Sequence, residues 1–411
     1  MQERRCRFCH APLKETFVDL GMAPLSNSYI PQDASDQGQM TFPLHAYVCE
    51  KCFLVQLEEY ETPQDIFSDY AYFSSYSTSW LKHAETYTLD MLRNYGIGHQ
   101  SQVIEVASND GYLLQYFKRA GVPVLGIEPA RNVAKEAMKK RGIPTLSEFF
   151  GRDLAQKLRA EGRIADLLIG NNVLAHVPDI NDFVAGLQIL LADDGFITME
   201  FPHLMQLMGK VQFDTIYHEH FSYLSLLTVQ QIFSAHGLRI FHVEELPTHG
   251  GSLRIFACHK QSQRFAQRDS VEALLAREQE AGMEQLSTYL AFPQKVREIK
   301  YSLLSTLIRL KREGKHIVGY GAAAKGNTLL NYCGIRTEFL DYVADRSPHK
   351  QHTLLPGSRI PVVSPEEIMR TKPDYVLILP WNLCDEIMTQ MQAIRSWGAK
   401  YIVPIPEVRI F

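Results

Sequence analysis

The feature that most restricts the fold is an alternation of short apolar runs with helical segments. It begins at Gln102 and starts again after residue 314. Gln102–Val106, Pro123–Glu128, Ala165–Gly170 and Phe196–Phe201 read as strands, and Tyr112–Ala120 between the first two reads as a helix. Apolar strands joined through helices make a mostly parallel, doubly wound sheet with right-handed crossovers. Arg239–Val243 and Ser252–Ala257 flank Gly250-Gly251 and read as an antiparallel pair that finishes this sheet. After a charged helical bridge over residues 270–312, Lys315–Gly321, Tyr342–Asp345, Tyr375–Leu379 and Tyr401–Val403 repeat the plan on a smaller scale. The predicted class is α/β, with a Rossmann-like central domain over 71–258 and a second Rossmann-like unit over 259–411.

The first 70 residues follow another rule. Cys6-Arg-Phe-Cys9 and Cys49-Glu-Lys-Cys52 are two C-x2-C pairs. Each places two thiolates on one side of a metal, and two pairs complete a tetrahedral four-sulfur site that suits Zn2+. With all four positions filled by cysteine, no coordination place stays open for catalysis, so the zinc is expected to be structural. Cys258, Cys333 and Cys384 lie singly in apolar contexts and read as small core residues.

Composition excludes several classes. Of 411 residues, 45% are hydrophobic and 21% charged, and the net charge is -4. With no Lys/Arg block in such a chain, nucleic acid and membrane surfaces are poor partners. There is no apolar stretch of about 18 residues and no apolar signal region at the N-terminus. The expectation is a cytoplasmic protein, and without a coiled-coil seam or long apolar edge, a monomer.

Chemistry concentrates in Asp214–Tyr223, DTIYHEHFSY, where Tyr217, His218, Glu219 and His220 are consecutive. Imidazole, phenol and carboxylate together can supply a base, its orienter and an oxyanion donor. The run follows the strand ending at Phe201, so it should lie beyond that strand's C-terminal end, where open α/β sheets keep their sites. His176, in NNVLAHVPD, falls beyond a neighbouring strand. His218 and His220 lack a third spaced ligand, which disfavours a catalytic metal. The first βα turn, Glu105–Gly111, lacks the G-x-G-x-x-G of dinucleotide binders and has alanine at its first glycine position. It retains Glu105 on the first strand and Glu128 at the tip of the second. Glu128 is placed to accept from both hydroxyls of a ribose and Glu105 to face an ammonium. A nucleoside with an amino-acid tail and no phosphate is S-adenosylmethionine. Gly319–Gly326 forms another glycine-containing turn with Lys325, suited to a pyrophosphate. Tyr70, Tyr72, Phe73, Tyr76 and Trp80 are dense enough to line a pocket or to pack at a domain boundary.

In order along the chain, the paired C-x2-C, EVASNDGYLL, GIEPA, NNVLAHVPD, DTIYHEHFSY, HGGSLRIF and GYGAAAKGNTLLNYCGI resemble the sugar C-methyltransferases of deoxysugar biosynthesis. The resemblance implies three domains and methylation of a ring carbon, usually C3, beside the C4 ketone of a nucleotide-linked 4-keto-deoxyhexose. The usual carrier is dTDP, with GDP as the alternative. It implies His220 as the base, Tyr217 and His176 as hydrogen-bond partners of the ketone or enolate oxygen, and Glu219 as orienter of the histidine or holder of a sugar substituent. Cofactor contacts would fall on Glu105, Ser108, Asp110, Gly111, Glu128, Pro129, Asn171 and Asn172. Substrate contacts would fall on Tyr76, Lys325 and Asn327, the last two holding the nucleotide diphosphate. Two other classes fit parts of the chain: a nicotinamide-dependent sugar oxidoreductase or epimerase, and a non-catalytic zinc-ribbon adaptor.

Overall fold

The computed structural model describes residues 4–62 and 74–411. Tyr70, Tyr72, Phe73 and the expected boundary at residue 70 lie outside them. In the N-terminal module, β1 (Glu15–Ala23), β3 (Phe42–Val48) and β4 (Val55–Leu57) form an antiparallel sheet. Between β1 and β3 the chain leaves this sheet and forms the short β2 (Ile30–Pro31) elsewhere.

The central sheet contains β5 (Val103–Val106), β6 (Val124–Ile127), β7 (Thr145–Leu146), β8 (Ala165–Asn171) and β9 (Leu191–Pro202), all parallel. After β9 come the helix Leu204–Gly209, a turn at Phe213–Thr215 and β10 (Ser222–Tyr223). The pair β11 (Leu238–Leu246) and β12 (Ser252–His259) is antiparallel, and the sheet order is β11-β12-β9-β8-β5-β6-β7. The order reverses at β5, between β8 and β6, which opens a crevice at the carboxyl ends of these strands. β10 departs from this sheet and pairs antiparallel with β4 of the N-terminal module, Ser222 opposite Gln56 and Tyr223 opposite Val55. A two-residue strand carries too little pattern to announce that switch from sequence.

The C-terminal unit contains β13 (Ile317–Tyr320), β14 (Val343–Ala344), β15 (Thr353–Leu354), β16 (Val362–Val363), β17 (Tyr375–Ile378), β18 (Lys400–Val403) and β19 (Arg409–Ile410). Its sheet runs β16-β14-β13-β17-β18-β19, while β15 pairs with β2. The bridging helix Phe292–Arg312 buries Val296, Ile299, Leu303, Leu307 and Leu310, the three- and four-residue spacing of one helical face. Its first residue stacks on Phe17 of β1 with ring centroids 4.6 Å apart, so one apolar core joins the N- and C-terminal units. The bridge also supplies Glu278, which is buried and accepts from the backbone N–H groups of Leu226 and Leu227. A carboxylate there satisfies the exposed donors at the start of helix Leu226–Ala235. No helix of the described residues is long and apolar enough to cross a membrane.

Candidate active site

The four N-terminal cysteines meet as their spacing predicts. Their Sγ atoms all lie within 4.8 Å of one another, with 3.6 Å from Cys6 to Cys52 and 3.5 Å from Cys9 to Cys49. Thiolates about 2.3 Å from a tetrahedral zinc stand about 3.8 Å apart, so the set fits the ion. The two knuckles repeat one backbone design. His10 N–H donates to the Cys6 carbonyl and Phe53 N–H to the Cys49 carbonyl, both at 2.9 Å, with φ of 59° and 60° at His10 and Phe53.

The cofactor turn adopts a path its sequence does not advertise. Ala107, Asn109 and Gly111 have φ of 56°, 49° and 75°, the alternating left-handed positions that glycines usually fill. Contacts hold Asn109 there and brace its neighbour Asp110. Asn109 N–H donates to Glu128 Oε2 at 3.0 Å, and the Asn109 side-chain oxygen accepts from Ser74 N–H at 2.9 Å. Arg141 donates to the Asp110 carbonyl at 2.7 Å, and Ser75 to the Asp110 carboxylate. Glu128 Oε1 accepts from Ala130 N–H at 2.9 Å, so each oxygen keeps lone-pair capacity for a ribose hydroxyl. Glu105 is fully buried and neither oxygen has a hydrogen-bond partner at bonding distance. Burial pushes its pKa well above the ordinary carboxylate range, with the Tyr112 hydroxyl opposing. An ammonium is the group that such a carboxylate lacks, which fits an amino-acid tail. Asn171, at the end of β8, donates to the Tyr112 hydroxyl at 3.2 Å, on the same side. Pro129 is partly exposed directly after Glu128.

At Gly111 a Cβ would lie 2.9 Å from Ile143 Cγ1. Gly111→Ala is expected to cost about 1–3 kcal/mol of stability, from left-handed strain and that overlap, and to weaken S-adenosylmethionine binding. Chemical denaturation and calorimetric titration check both; wild-type values in each would contradict this account of the turn.

Beyond β9 the histidines converge. The rings of His176 and His220 are 4.6 Å apart, and the Tyr217 ring is 4.0 Å from His220. His220 Nδ1 lies 2.9 Å from the Thr215 carbonyl, and His176 Nδ1 lies 2.8 Å from the Glu219 carbonyl. A neutral imidazole that donates Nδ1–H to a carbonyl is an acceptor at Nε2. Burial pushes both histidines down, His176 to about 4 and His220 well below the usual value, with His176, His249 and Lys325 adding to the effect on His220. Both are therefore neutral near pH 7.

Two expectations change in detail. The orienter of His220 is the Thr215 carbonyl and not the Glu219 carboxylate, which accepts instead from Asn27 of the N-terminal module at 2.6 Å. As a neutral ring anchored through Nδ1, His176 offers an acceptor at Nε2, so it is not a ready donor to an enolate oxygen. His218 points away from the pair, its Nε2 3.2 Å from the Pro43 carbonyl. Lys325 acts on His220 and His249 through its charge. Its ammonium sits 2.9 Å from Asn382 Oδ1 and 5.0 Å from the Trp381 ring centroid, with its pKa lowered by burial and supported by Asp214. Asn327 is buried and donates to the Ser26 carbonyl at 2.7 Å, tying the N-terminal module to the C-terminal unit. Tyr76 is 72% exposed, on the segment that meets the Asn109–Asp110 turn, and is not among the histidines.

Sequence reasoning missed three partners. Asp214 is buried, accepts from Trp381 Nε1–H at 2.7 Å, and is pushed by burial up to about 6, with Lys325 opposing. His249, at φ 55°, has its Nε2 3.3 Å from Asn172 Nδ2, and burial pushes it down to about 4. Gly250 follows at φ 92°, where a Cβ would meet the Trp381 ring at 2.6 Å. The legible signal was the His-Gly-Gly run, since paired glycines allow so tight a bend. The third partner is Glu200 at the end of β9, which accepts from His83 at 2.8 Å, Arg254 at 2.9 Å and Thr248 at 3.0 Å. Trp80 stacks on His83 and lies edge-on to His249, 4.8 and 5.7 Å between centroids, and so links the cofactor side to the histidines.

Comparison with known proteins agrees with this architecture. Family models match residues 6–67 as a zinc binding domain, 81–243 as a methyltransferase domain and 247–406 as a C-methyltransferase C-terminal domain. The C-methyltransferase NovU of Streptomyces niveus is 34% identical over 98% of this chain and 96% of its own length. Among solved structures, magnesium protoporphyrin IX methyltransferase of Synechocystis with bound SAM is 16% identical, covering 44% of this chain and 79% of that one at a TM-score of 0.34. PH0226 of Pyrococcus horikoshii is 16% identical, covering 49% and 100% at 0.37. The oxidoreductase and adaptor alternatives give way to the full-length match. The chain belongs to the C-methyltransferase family, as a methyltransferase that uses S-adenosylmethionine and carries a zinc-binding N-terminal domain.

Proposed function

We propose that the protein methylates a ring carbon, C3, beside the C4 ketone of a nucleotide-linked 4-keto-deoxyhexose, carried on dTDP or GDP. The observation that carries this reading is the neutral His220, anchored at Nδ1 by Thr215 and packed against Tyr217 and His176. A hydrogen alpha to a ketone is acidic enough for an imidazole to remove when the resulting oxyanion is stabilised. In the proposed step, His220 Nε2 takes the C3 proton. The C–H electrons form the C3–C4 double bond, and the carbonyl electrons move to oxygen. S-adenosylmethionine would supply an electrophilic methyl group; as the enolate carbon bonds to it, the methyl–sulfur bond breaks, its electron pair returns to sulfur, and S-adenosylhomocysteine leaves. The enolate also gives the new imidazolium a compensating negative charge. The Tyr217 hydroxyl and the Lys325 ammonium are the donors suited to the enolate oxygen. Glu128 and Glu105 hold the cofactor's ribose and ammonium. The sugar lies between the central and C-terminal units, a reading supported by the approach of Lys325 and Trp381 to Asp214 and the histidines.

The assignment is tested by incubating methyl-labelled S-adenosylmethionine with dTDP- and GDP-linked 4-keto-6-deoxyhexoses, with and without a 3-amino group. A labelled methyl on the sugar, located by fragmentation at C3, is expected. Labelled cofactor left intact across the panel would contradict the substrate class.

The histidine shifts also fix a pH dependence. Burial pushes His176 and His249 down to about 4 in the folded protein, against about 6.5 when unfolded. Between those values the unfolded chain binds more protons, so stability rises with pH. It is complete above about 6.5 and is lost progressively as pH falls towards 4. Asp214 and Glu105, pushed up by burial, act in the opposite sense over the same range, so the rings are followed directly by NMR titration of the His176 and His249 ring nitrogens; rings that protonate at the ordinary value of about 6.5 would contradict the burial of neutral histidines.

A further inference from the structure

We propose that Arg7, inside the first zinc knuckle, is a positioning residue that sets the spacing of His176 and His220, so that the zinc module acts on the reaction through it. The inference rests on the reading of His220 as the base. Arg7 lies between Cys6 and Cys9, and its guanidinium leaves the metal site towards the catalytic loop. One end donates to the Pro178 carbonyl at 2.5 Å, two residues after His176. The other end donates to the Leu57 carbonyl. Leu57 N–H in turn donates to the Phe221 carbonyl at 3.0 Å, and Phe221 N–H donates to the Ala175 carbonyl at 2.8 Å. The Arg7 guanidinium also covers the Phe221 ring at 5.4 Å. Phe221 follows His220 and Ala175 precedes His176, so one side chain is bonded into both histidine segments.

The knuckle fixes Arg7 in return. Gln56 accepts from Arg7 N–H at 2.9 Å and donates to Cys6 Sγ at 3.3 Å, while its backbone pairs with Ser222. Asn181 donates to the carbonyls of Arg7 and Phe8 at 3.0 and 2.9 Å. A zinc-loaded Cys6 therefore holds Gln56, Gln56 holds Arg7 and β10, and Arg7 spans the gap to Pro178. Among the described residues the central sheet contains no strand of the N-terminal module, and none of these contacts involves the cofactor turn.

The test uses the full-length, zinc-loaded protein with Arg7→Met and Arg7→Lys. Ring nitrogen resonances of His176 and His220, assigned through His176→Gln and His220→Gln, report the pair without any sugar. Arg7→Met is expected to retain zinc and to bind S-adenosylhomocysteine within about twofold of wild type, with shifted resonances and altered titration of both rings. Its kcat should fall by about 10–100-fold, the effect of a small misplacement of a reacting group, with sugar KM within about threefold. Arg7→Lys should recover part of kcat, since an ammonium can serve one of the two carbonyls. Unchanged resonances and kcat in Arg7→Met would overturn the proposal. So would joint loss of zinc, cofactor binding and activity in both variants, which would mark Arg7 as a folding element alone. Failure of the sugar assignment would look different: wild type silent on every sugar, with ring resonances still displaced in Arg7→Met.

Discussion

His220→Gln is expected to lower methyl transfer by about 10²–10⁴-fold, the contribution of a positioned general base. Glutamine keeps an amide that can still donate to the Thr215 carbonyl, so the loop has reason to stay in place. What it cannot do is accept a proton. The variant should therefore bind S-adenosylmethionine as wild type does, since Glu128 and the Ala107–Gly111 turn are held by contacts of their own. Steady-state kinetics beside calorimetric cofactor titration separates the two effects. Near-wild-type kcat would remove His220 from the mechanism; lost cofactor binding would show that the two sites are not independent.

Zinc removal is expected to have the largest effect on stability. A structural zinc carries apparent binding free energy of about 10–16 kcal/mol, and in a small module that is folding free energy. Cys49→Ser should therefore disorder the β1-β3-β4 sheet and release β10, whose pairing partner is β4. The damage should spread, because Phe17 of β1 stacks on Phe292 of the bridging helix and Asn327 is tied to Ser26. Spread over a chain of 411 residues, a loss of about 10 kcal/mol would lower the melting temperature by about 10 °C. Zinc content by mass spectrometry and thermal unfolding of Cys49→Ser report the result. A variant without zinc that melts with wild type would contradict the structural role.

The residues differ in how openly they announced these roles. The cysteines did so because paired C-x2-C spacing is a local rule of metal geometry, and their Sγ atoms do converge. The strands of the central sheet did so because buried parallel strands are unbroken apolar runs. Ala107 and Asn109 did not. At Asn109 the left-handed backbone is held by Glu128 and Ser74, contacts from distant residues that propensity cannot register. Tertiary assembly likewise hid His249 and Trp381, which reach Asn172 and Asp214 from β12's entry loop and the C-terminal unit. Glu219 shows the converse. Adjacency to His220 suggested a partnership, yet consecutive side chains on a turn diverge, and its carboxylate faces Asn27. Asn327 and Tyr76 followed the resemblance to the family as substrate contacts; Asn327 is bonded to Ser26 and Tyr76 is largely exposed.

The central claim is that His220 takes the proton alpha to the ketone, and exchange into deuterated water measures that step with no methyl transfer at all. The protein would be saturated with S-adenosylhomocysteine and given a nucleotide 4-keto-6-deoxyhexose that it methylates. Mass spectrometry would then follow deuterium at C3. Wild type is expected to incorporate one deuterium there, and His220→Gln to leave the position protonated over the same period. Exchange at equal rates in both proteins, or none in a wild type that methylates the same sugar, would contradict the account.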